Sequence, residues 1–568
     1  MIIKNINNLK KTFKKLKIDA YIIPKNDEFF SEYSKNDKLK KISNFSGSAG
    51  YAVISKKKNY LFVDGRYTIQ AKLESGKIFQ IIDLNKIINC NLFKKHIIGF
   101  NPKLFTSNQI KKFFLKNNKV KQIQSKSIEK IFKKNTSKSK PFFSLDKKIV
   151  GEGHSSKIKR IVKYLKKVKS NYLFISAPEN IAWLLNIRGH DNPYSPIPNC
   201  RLLINDVGNI HLIVEMIKVR KIIKEKKIKK GQVIEPKNFE SLIDKLNKNR
   251  IIIDNKSCSL FYEEILKKKF TILKKDDPIY FLKSLKNKSE IQNMINAHIL
   301  DGAALTKFLY WIKKVNKKKL TEYEAQEKLE KFRKKNVEYL SPSFNTIAGS
   351  GANGAIVHYR ANKNNSNKIN KQDIFLCDSG GQYKYGTTDV TRTICFSKPK
   401  NSIKNIFTDV LKGHIAVANT NLKKYFSGKQ IDLRARKFLK NTGLDYQHGT
   451  GHGVGFFLNV HEGPQGITKF NGIKLEEGMI LSNEPGYYKE GKFGIRIENL
   501  LYIKKENKKL IFENLTLAPI EKDLINIKKL NKNEKDYLFK YHLDVYGKIS
   551  KYLNNNEKKW LASHIYHF

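Results

Sequence analysis

Residues 448–464 read HGTGHGVGFFLNVHEGP, and this stretch governs how the last third of the chain is interpreted. Four glycines fall among its first eight residues, a density that weakens an ordinary strand because glycine loses much backbone freedom on folding. Glycine in such a pattern is typical of a backbone that closely approaches another group. The histidines of the stretch, His448, His452 and His461, are expected to point toward that group.

Four carboxylates flank this stretch in strand-like or turn-like surroundings: Asp378, Asp389, Glu484 and Glu498. With His452 they form a ligand set that suits hard divalent cations, since carboxylate oxygen favours Mn²⁺ and similar ions and the set holds no cysteine. Two divalent ions bring four positive charges, which four carboxylates balance, so the site can hold a metal-bound hydroxide at neutral pH. We therefore predict a two-metal hydrolase whose nucleophile is that hydroxide.

The spacing of these residues indicates how they could meet. Asp378 follows an apolar run, and Asp389 comes 11 residues later at the head of a strand-like run. The two carboxylates can then face each other across paired strands, so that one hairpin presents both. Over 495–498, alternation of apolar and charged side chains predicts one strand with Arg496 and Glu498 on the same face. The Arg496 guanidinium is expected to orient a neighbouring ligand carboxylate.

Each of these residues taken alone has an ordinary structural explanation. A single Asp before a strand is more often a turn former or a cap than a ligand, and a lone buried His is usually just hydrogen-bonded. The combination with the glycine-rich stretch favours a functional site.

Several stretches closely resemble the aminopeptidase P (Xaa-Pro aminopeptidase) branch of the pita-bread metallopeptidases. They are DSGGQY at 378–383, GTTDVTRT at 386–393, the stretch at 448–464, NEPGYY at 483–488 and GIRIEN at 494–499. Their order, spacing and flanking residues agree with the family pattern. The resemblance implies a dinuclear site, often manganese, whose ligands fall on Asp378, Asp389, His452, Glu484 and Glu498.

The resemblance also implies three further active-site histidines, His358, His448 and His461. Glu484 is expected to act as general base as well as ligand, and His461 to stabilise the oxyanion. His358 and His448 are expected to bind substrate and transfer protons. These roles rest on the resemblance.

Upstream motifs extend the resemblance over essentially the whole chain. FSGSAG at 45–50 and FVDGRY at 62–67 look like the family's non-catalytic N-terminal domain, and NIAWLLNIRG at 180–189 looks like a second such domain. An internal repeat supports this independently, because the hairpin predicted at 51–64 recurs at 202–214, about 150 residues later.

We therefore predict the α/β (α+β) class, with two related α/β N-terminal domains followed by a pita-bread catalytic domain. The predicted ranges are 1–135 and 136–284 for the two creatinase-like domains, 285–514 for the catalytic domain and 515–568 for a C-terminal extension. Lysine-rich segments near 133–140 and 283–289 mark the first two boundaries. Helical spacing over 290–315 and 323–332 predicts two helices. Apolar and aromatic residues in the extension, with the resemblance, predict packing on the catalytic domain and a homodimer contact.

The chain is strongly basic, with 111 Lys and Arg against 51 Asp and Glu and a formal net charge of +60. Such a charge would ordinarily indicate nucleic acid or anionic membranes. The excess is mostly Lys spread along the whole chain beside abundant Asn and Ile, three residues with A/T-rich codons, so genome composition explains it better. The sequence also contains no zinc finger, RNA-binding signature or phosphate-binding loop, and we predict no specific nucleic-acid partner.

Cysteine usage and hydropathy predict a cytoplasmic protein. The cysteines are odd in number and scattered, which is typical of reduced core residues and not of a disulfide framework. They are Cys90, Cys200, Cys258, Cys377 and Cys395. The sequence has neither an apolar N-terminal segment nor a run of 18 or more apolar residues, so we expect no signal peptide and no membrane partner.

Three functions fit this sequence. The leading hypothesis is an aminopeptidase that releases the first residue of peptides with proline second; that bond lacks the N–H that many peptidases bind. A prolidase would use the same ligands on Xaa-Pro dipeptides only, and the length and the two N-terminal domains favour the aminopeptidase. A non-catalytic binding protein on the same fold is the third hypothesis, which retention of five ligands and three histidines disfavours.

Overall fold

The computed structural model describes residues 1–89, 91–113, 118–132, 139–247, 249–364 and 366–565. The chain separates into two compact units, Met1–Tyr280 and Phe281–Phe568. Helices and strands are mixed in both units, which confirms the predicted fold class. The predicted boundary between 135 and 136 lies outside the described residues, and so does Cys90.

The first unit begins with a six-stranded sheet in the order β4-β3-β2-β1-β5-β6. Its strands are Ala20–Pro24 (β1), Tyr51–Ser55 (β2), Asn59–Val63 (β3), Gln80–Asp83 (β4), Ile97–Phe100 (β5) and Lys119–Gln122 (β6). The accompanying helices are Ile2–Lys11 (α1), Phe13–Leu16 (α2), Lys38–Ser43 (α3), Thr68–Ser75 (α4), Ser107–Phe113 (α5) and Lys126–Ile131 (α6). Strand β1 is buried along its whole length, as expected for an apolar central strand.

A second six-stranded sheet follows, in the order β12-β11-β10-β8-β13-β14, while β7 and β9 form a separate pair. The strands are Phe143–Ser144 (β7), Tyr172–Ile175 (β8), Ile187–Arg188 (β9), Arg201–Asn205 (β10), Ile210–Ile213 (β11), Val233–Ile234 (β12), Arg250–Ile253 (β13) and Thr271–Lys274 (β14). The helices are Lys147–Val150 (α7), His154–Lys167 (α8), Pro178–Leu185 (α9), Met216–Lys224 (α10), Phe239–Lys245 (α11), Leu260–Lys267 (α12) and Pro278–Ser284 (α13).

The two sheets share one topology, which confirms the predicted repeat. In each sheet the first strand pairs antiparallel with the second and parallel with the fifth strand of its set. The predicted hairpins are β2–β3 and β10–β11, both antiparallel. At the tip of the second hairpin Gly208 has φ +93°, a backbone conformation that glycine adopts without strain.

The second unit opens with both predicted helices, Lys288–Lys314 (α14) and Glu322–Lys334 (α15), followed by Asn401–Ala418 (α16) and Gly428–Lys440 (α17). Capping explains where the first two begin. Asn287 accepts hydrogen bonds from the backbone N–H groups of Ser289 and Glu290, while Glu290 accepts one from the Asn287 N–H. Thr321 and Glu324 cap α15 in the same reciprocal way.

The strands described in the second unit form several small sheets. They are Tyr339–Pro342 (β15), Ile347–Ser350 (β16), Ile374–Ser379 (β17), Gly381–Tyr383 (β18), Gly386–Thr387 (β19), Val390–Cys395 (β20), Gly451–Gly453 (β21), Glu462–Ile467 (β22), Ile480–Asn483 (β23), Gly486–Lys489 (β24), Phe493–Arg496 (β25), Asn499–Glu506 (β26) and Lys509–Asn514 (β27). The sheet orders are β15-β18-β19, β16-β17-β20, β22-β21-β23-β26-β27 and β24-β25.

The C-terminal segment folds into helices Lys532–Ile549 (α18) and Asn555–Ala562 (α19), which pack on the rest of this unit. Leu538 and Val545 of α18 and Leu561 of α19 are completely buried in one core with Phe407 and Leu411 of α16. Trp560 contacts Tyr310 of α14, with 5.9 Å between ring centroids. Aromatic residues of the predicted C-terminal extension, among them Tyr541 and Trp560, therefore pack against their own chain.

The described cysteines agree with the sequence prediction, because Cys200, Cys258, Cys377 and Cys395 are free and buried. Burial raises the pKa of the Cys377 thiol to about 12, which keeps it protonated. No helix in the described part of the chain combines the length and the apolar character that a membrane span requires.

Candidate metal centre

Strands β17 and β20 bring Asp378 and Asp389 to one place. The strands pair antiparallel as predicted, with Asp378 opposite Thr391. Asp389 lies directly before β20 and is 4% exposed, while Asp378 is 8% exposed. The connection differs from the predicted simple hairpin, because β18 and β19 leave this sheet and join β15 in another. Asp378 therefore faces a threonine across the ladder, while Asp389 lies just before β20, close enough for its charge to act on the Asp378 carboxyl.

The glycine-rich stretch forms β21, the strand between β22 and β23. A Cβ atom on Gly451 would lie 1.9 Å from the backbone oxygen of Ser482 in β23, so only glycine fits. The group that the glycine-rich backbone was expected to approach closely is thus the adjacent strand β23. His452 projects from the middle of β21 and donates a hydrogen bond from Nδ1 to the Gly453 carbonyl (2.9 Å). That bond leaves the lone pair of Nε2 available to a ligand.

Two carboxylates face this lone pair. His452 Nε2 lies 3.4 Å from Asp389 Oδ2 and 3.5 Å from Glu484 Oε1. Asp389, His452 and Glu498 each offer a ligand atom, and these three atoms lie within 4.8 Å of one another. Glu484 directly follows β23, and its Oε1 accepts a hydrogen bond from Ser482 Oγ (2.9 Å). Acceptor atoms that face one another at these distances require a proton or a cation between them.

Arg496 and Glu498 do not lie on one continuous strand. β25 ends at Arg496 and β26 begins at Asn499, so the predicted strand over 495–498 is wrong. The break has a cause, since the Ile497 N–H donates to Pro485 and the Glu498 N–H to Thr391, away from any common ladder.

Thr391 nevertheless joins the two side chains. Its hydroxyl accepts from Arg496 Nε (3.1 Å) and donates to Glu498 Oε2 (2.7 Å). Arg496 Nη2 also donates to Asp378 Oδ2 (2.6 Å), so its guanidinium lies beside a predicted ligand as the sequence led us to expect.

Tyr488, Thr391 and Ser482 are polar neighbours that sequence reasoning missed. The Tyr488 hydroxyl accepts from Arg496 Nη1 (2.6 Å) and lies 2.8 Å from His448 Nε2. His448 Nδ1 donates to the Gly449 carbonyl, so Nε2 accepts the Tyr488 proton. The available signal was strand periodicity, because Thr391 and Ser482 lie two residues from Asp389 and Glu484.

Of the two remaining predicted histidines, His461 contacts a residue of this cluster. The ring of His461 packs edge-on against that of His452, with 4.4 Å between centroids and an interplanar angle of 79°. His358 is half-buried in the turn after the 3-10 helix Gly351–Ala355. That helix packs on β25, where a Cβ atom on Gly494 would lie 1.8 Å from the Gly354 oxygen, so Gly494 permits the contact.

Burial and mutual repulsion shape the electrostatics of the cluster. Burial raises the pKa of Asp378 to about 7 although Arg496 opposes the shift, and the charge of Asp389 raises it further. Burial and the Asp389 charge also hold the pKa of Glu498 well above its ordinary value. Without a bound cation, burial would lower the pKa of His452, but a hydrogen bond with Asp389 and the charge of Glu484 raise it to about 9, so a proton on Nε2 then takes the place that a cation would occupy. Burial lowers the pKa of His448 to about 4, so this imidazole is neutral.

These residues fit a pair of divalent cations. Asp378 Oδ1 is buried without a hydrogen-bond partner among the described residues, which is costly unless a cation supplies one. The pKa values of Asp378 and Glu498 are raised by burial and by the neighbouring carboxylates, and a cation beside them would oppose both effects. Carboxylate oxygens with one imidazole are the donors that Mn²⁺ and similar ions prefer.

Arg392 ties the centre to the C-terminal segment. Its buried guanidinium donates to the backbone oxygens of Thr391 and Glu498 on one side, and to those of Ala518 and Pro519 on the other. It also donates to Asn499 Oδ1 and to the hydroxyl of Tyr541 in α18. The position of Glu498 thus depends on a side chain that α18 helps to hold.

Sequence profiles of known families cover nearly the whole chain. The profile described as metallopeptidase family M24 matches residues 292–505, and the C-terminal region of peptidase M24 matches 508–567. Profiles of the creatinase/prolidase N-terminal domain match residues 5–131 and 133–290.

Similar full-length proteins carry related names. Xaa-Pro aminopeptidase 1 of Dictyostelium discoideum is 36% identical over 609 residues, covering 99% of this chain and 96% of that protein. A probable Xaa-Pro aminopeptidase P of Laccaria bicolor is 34% identical, covering 98% and 92%.

Among solved structures, the X-prolyl aminopeptidase of Caenorhabditis elegans, described as a cytosolic enzyme with a di-nuclear active site, is 29% identical with a TM-score of 0.91 over 100% of this chain and 99% of that one. The prolidase of Pyrococcus furiosus is 26% identical with a TM-score of 0.51, and covers only 62% of this chain and 98% of its own. A likeness this long, together with a cluster of four carboxylates and a histidine, places the chain in metallopeptidase family M24, as a member of its Xaa-Pro aminopeptidase P group.

Proposed function

We propose that this chain hydrolyses the N-terminal Xaa-Pro bond of peptides at a centre of two divalent metal ions. The observation that carries the proposal is the convergence of Asp389, His452 and Glu498 within 4.8 Å, with Asp378 and Glu484 beside them. Full-length likeness to Xaa-Pro aminopeptidases supports the substrate class, peptides with proline at the second position.

The proposed metal ligands are Asp378, Asp389, His452, Glu484 and Glu498, and the proposed ions are Mn²⁺. Four carboxylates and one imidazole favour Mn²⁺ over metals that prefer sulfur ligands. When bound, such ions polarise a substrate carbonyl and lower the pKa of water. Arg496 neutralises part of the carboxylate charge and fixes the orientation of Asp378 through its hydrogen bond to Oδ2.

Proton transfer is proposed for Glu484 and His448. Glu484 Oε1 already accepts a hydrogen bond from Ser482, so Oε2 is the oxygen that can take up a proton. That oxygen lies 4.0 Å from His448 Nδ1. His448 is neutral at pH 7, and it can release its Nδ1 proton as Nε2 takes up the proton of Tyr488, so the ring gains no charge in the buried centre. His358 is proposed to bind substrate.

His461 is proposed to stabilise the oxyanion that develops on the scissile carbonyl. Replacing His461 with alanine is expected to lower kcat by roughly 10²- to 10³-fold, the usual effect of losing one oxyanion partner. Both ions should remain, because this imidazole is not among the proposed ligands. Steady-state kinetics with elemental analysis of the same preparation test this. Loss of an ion from His461→Ala would instead make His461 a ligand.

An assay with peptides of different length separates an aminopeptidase from a prolidase. Purified protein with Mn²⁺ is expected to release the first residue from Xaa-Pro-Xaa and longer peptides. Its activity should therefore not be confined to Xaa-Pro dipeptides. Hydrolysis confined to Xaa-Pro dipeptides would establish the prolidase alternative. Binding of both peptides without any product would favour a non-catalytic protein.

The division into domains 1–135, 136–284, 285–514 and 515–568 is likewise proposed, supported by the profile matches near those boundaries. We also propose a cytoplasmic location, supported by the description of the nematode relative as cytosolic. No specific nucleic-acid or membrane partner is proposed.

A homodimer is proposed through the outer face of α18. Phe539 and Leu543, one helical turn apart, are 44% and 50% exposed. Because Leu538 and Tyr541 of the same helix belong to the core, deleting the segment would disrupt the unit, and substitution of exposed residues is the cleaner test.

Sedimentation at micromolar concentration is expected to give a dimer for the wild type and a monomer for the double variant Phe539→Glu, Leu543→Glu. Leu73→Glu, at a 71% exposed leucine of the first unit, is the control and should remain dimeric. A monomeric wild type would refute the dimer, and a dimeric double variant would place the interface elsewhere.

A further inference from the structure

A buried cluster of three charged side chains lies beside the candidate metal centre. Lys283 Nζ is 3.0 Å from Glu462 Oε2, and Lys286 Nζ donates a hydrogen bond to Glu462 Oε1. The side chains of all three are no more than 2% exposed. We call Lys283, Lys286 and Glu462 the lysine clamp.

Glu462 connects the clamp to the two histidines. It follows His461 directly in the chain, and across the sheet it pairs with Gly453, the residue after His452. The rings of His452 and His461 pack against each other, with 4.4 Å between centroids. The clamped carboxylate therefore belongs to a residue that is adjacent to one histidine along the chain and to the other across the ladder.

The ladder itself holds this position weakly. The pairing of β21 with β22 passes from His452 opposite Gly466 to Gly453 opposite Glu462 in a single step, so the intervening residues of β22 bulge out. A bulge removes ladder hydrogen bonds and bends its strand. The placement of His461 thus depends on what anchors Glu462 from outside the ladder.

Stability alone does not account for three buried charges at this point. The desolvation cost of a buried ion pair usually cancels most of its Coulombic attraction, and apolar side chains of similar volume stabilise as well or better. Charged hydrogen bonds do fix direction, since each oxygen of Glu462 has its own ammonium partner.

We propose that the lysine clamp is a positioning device, which holds Glu462 and through it sets the imidazole of His461 at its working distance from His452. The proposal rests on the proposed function, in which His461 acts on the substrate. None of the three clamp residues is assigned contact with the substrate. Misplacement of a catalytic group by about 1 Å can lower a rate about 10²-fold.

Glu462→Gln is the main test variant, because it keeps the volume and removes the charge. It is expected to lower kcat by roughly 10- to 100-fold, with KM within about twofold of wild type and both ions retained. Lys283→Met is the second variant, for use if Glu462→Gln does not fold. It leaves one ammonium paired with one carboxylate, and a smaller loss of kcat in the same direction is expected.

Glu521→Gln is the matched control. The side chain of Glu521 is 3% exposed and accepts a hydrogen bond from Lys313 Nζ (2.8 Å), whose side chain is 18% exposed, so replacing Glu521 also breaks a largely buried Lys–carboxylate pair of the second unit. It should lower the thermal midpoint to a similar extent and leave kcat unchanged. If Glu521→Gln lowered kcat as much as Glu462→Gln does, the lysine clamp would only stabilise the fold and would have no positioning role.

A double-mutant cycle with His461→Ala decides whether the clamp acts through His461. If it does, Glu462→Gln lowers kcat in the wild type but changes it by less than about twofold in the His461→Ala background. Equal fold-losses in the two backgrounds overturn the proposal. If His461→Ala alone leaves kcat unchanged, the proposed catalytic role of His461 is wrong, whatever the lysine clamp does. This result distinguishes failure of the proposed function from failure of the clamp proposal.

Discussion

Replacing His452 with alanine is expected to abolish peptide hydrolysis and to lower the bound metal from two ions toward one. His452 Nε2 faces Asp389 Oδ2 at 3.4 Å and Glu484 Oε1 at 3.5 Å, so its lone pair is the nitrogen donor at the middle of the carboxylate cluster. Loss of a residue that merely supports a ligand costs about 10- to 100-fold in affinity or activity, and loss of the ligand itself should exceed this.

Elemental analysis after gel filtration, with kcat measured on the same sample, checks this expectation. His96→Ala, a substitution in the first unit, is the control and should keep both the metal and the rate. Full metal content with normal activity in His452→Ala would refute the assignment of His452 as a ligand.

Replacing Arg392 with methionine is expected to lower the free energy of unfolding by more than about 3 kcal/mol. The guanidinium donates to four backbone oxygens and to the side chains of Asn499 and Tyr541. Methionine fills much of the volume but leaves several of these acceptors buried without donors, each at a cost of about 1–3 kcal/mol. Because one acceptor is the backbone oxygen of Glu498, metal binding should weaken as well.

Chemical denaturation of the metal-free protein isolates the stability effect from metal binding. Arg220→Met is the control, because Arg220 is exposed on α10 and surface substitutions usually change stability by less than about 0.5 kcal/mol. An unchanged unfolding midpoint for Arg392→Met would mean that the network adds no net stability.

Local patterns in the sequence predicted the elements of the fold well. The hairpins at 51–64 and 202–214 were predicted from an internal repeat, and the two helices beginning near 290 and 323 were predicted from apolar spacing alone. Each of these features is set by residues close together in the chain, where propensity and capping act directly.

Contacts between strands that are far apart in the chain could not be predicted from the sequence. Thr391 reaches Arg496 across 105 positions and Arg392 reaches Tyr541 across 149, and such contacts depend on the register of strands that periodicity does not fix. The break between β25 and β26 was not predicted for the same reason. Apolar and charged residues do alternate over 495–498. However, the backbone N–H groups that a continuous strand would use donate instead to the carbonyl oxygens of Pro485 and Thr391.

The residue types of the candidate site could be predicted from the sequence, but the neighbouring side chains that hold them in place could not. The carboxylates and histidines stood out because few other roles bring these residue types together in glycine-rich surroundings. Their neighbours Tyr488, Ser482 and Lys286 are common residue types whose partners the sequence does not indicate, and only the folded chain shows what each of them contacts.

The central claim is that this chain uses a metal centre to cleave the bond before a proline in second position. Product analysis with two tripeptides of the same first residue, Xaa-Pro-Xaa and Xaa-Ala-Xaa, tests it most directly. The account predicts that Mn²⁺-loaded protein releases the first residue from the proline peptide at least about 10²-fold faster than from the alanine peptide. It also predicts that activity disappears on chelation and returns with added Mn²⁺. Equal cleavage of both peptides, or full activity after verified removal of the metal, would contradict it.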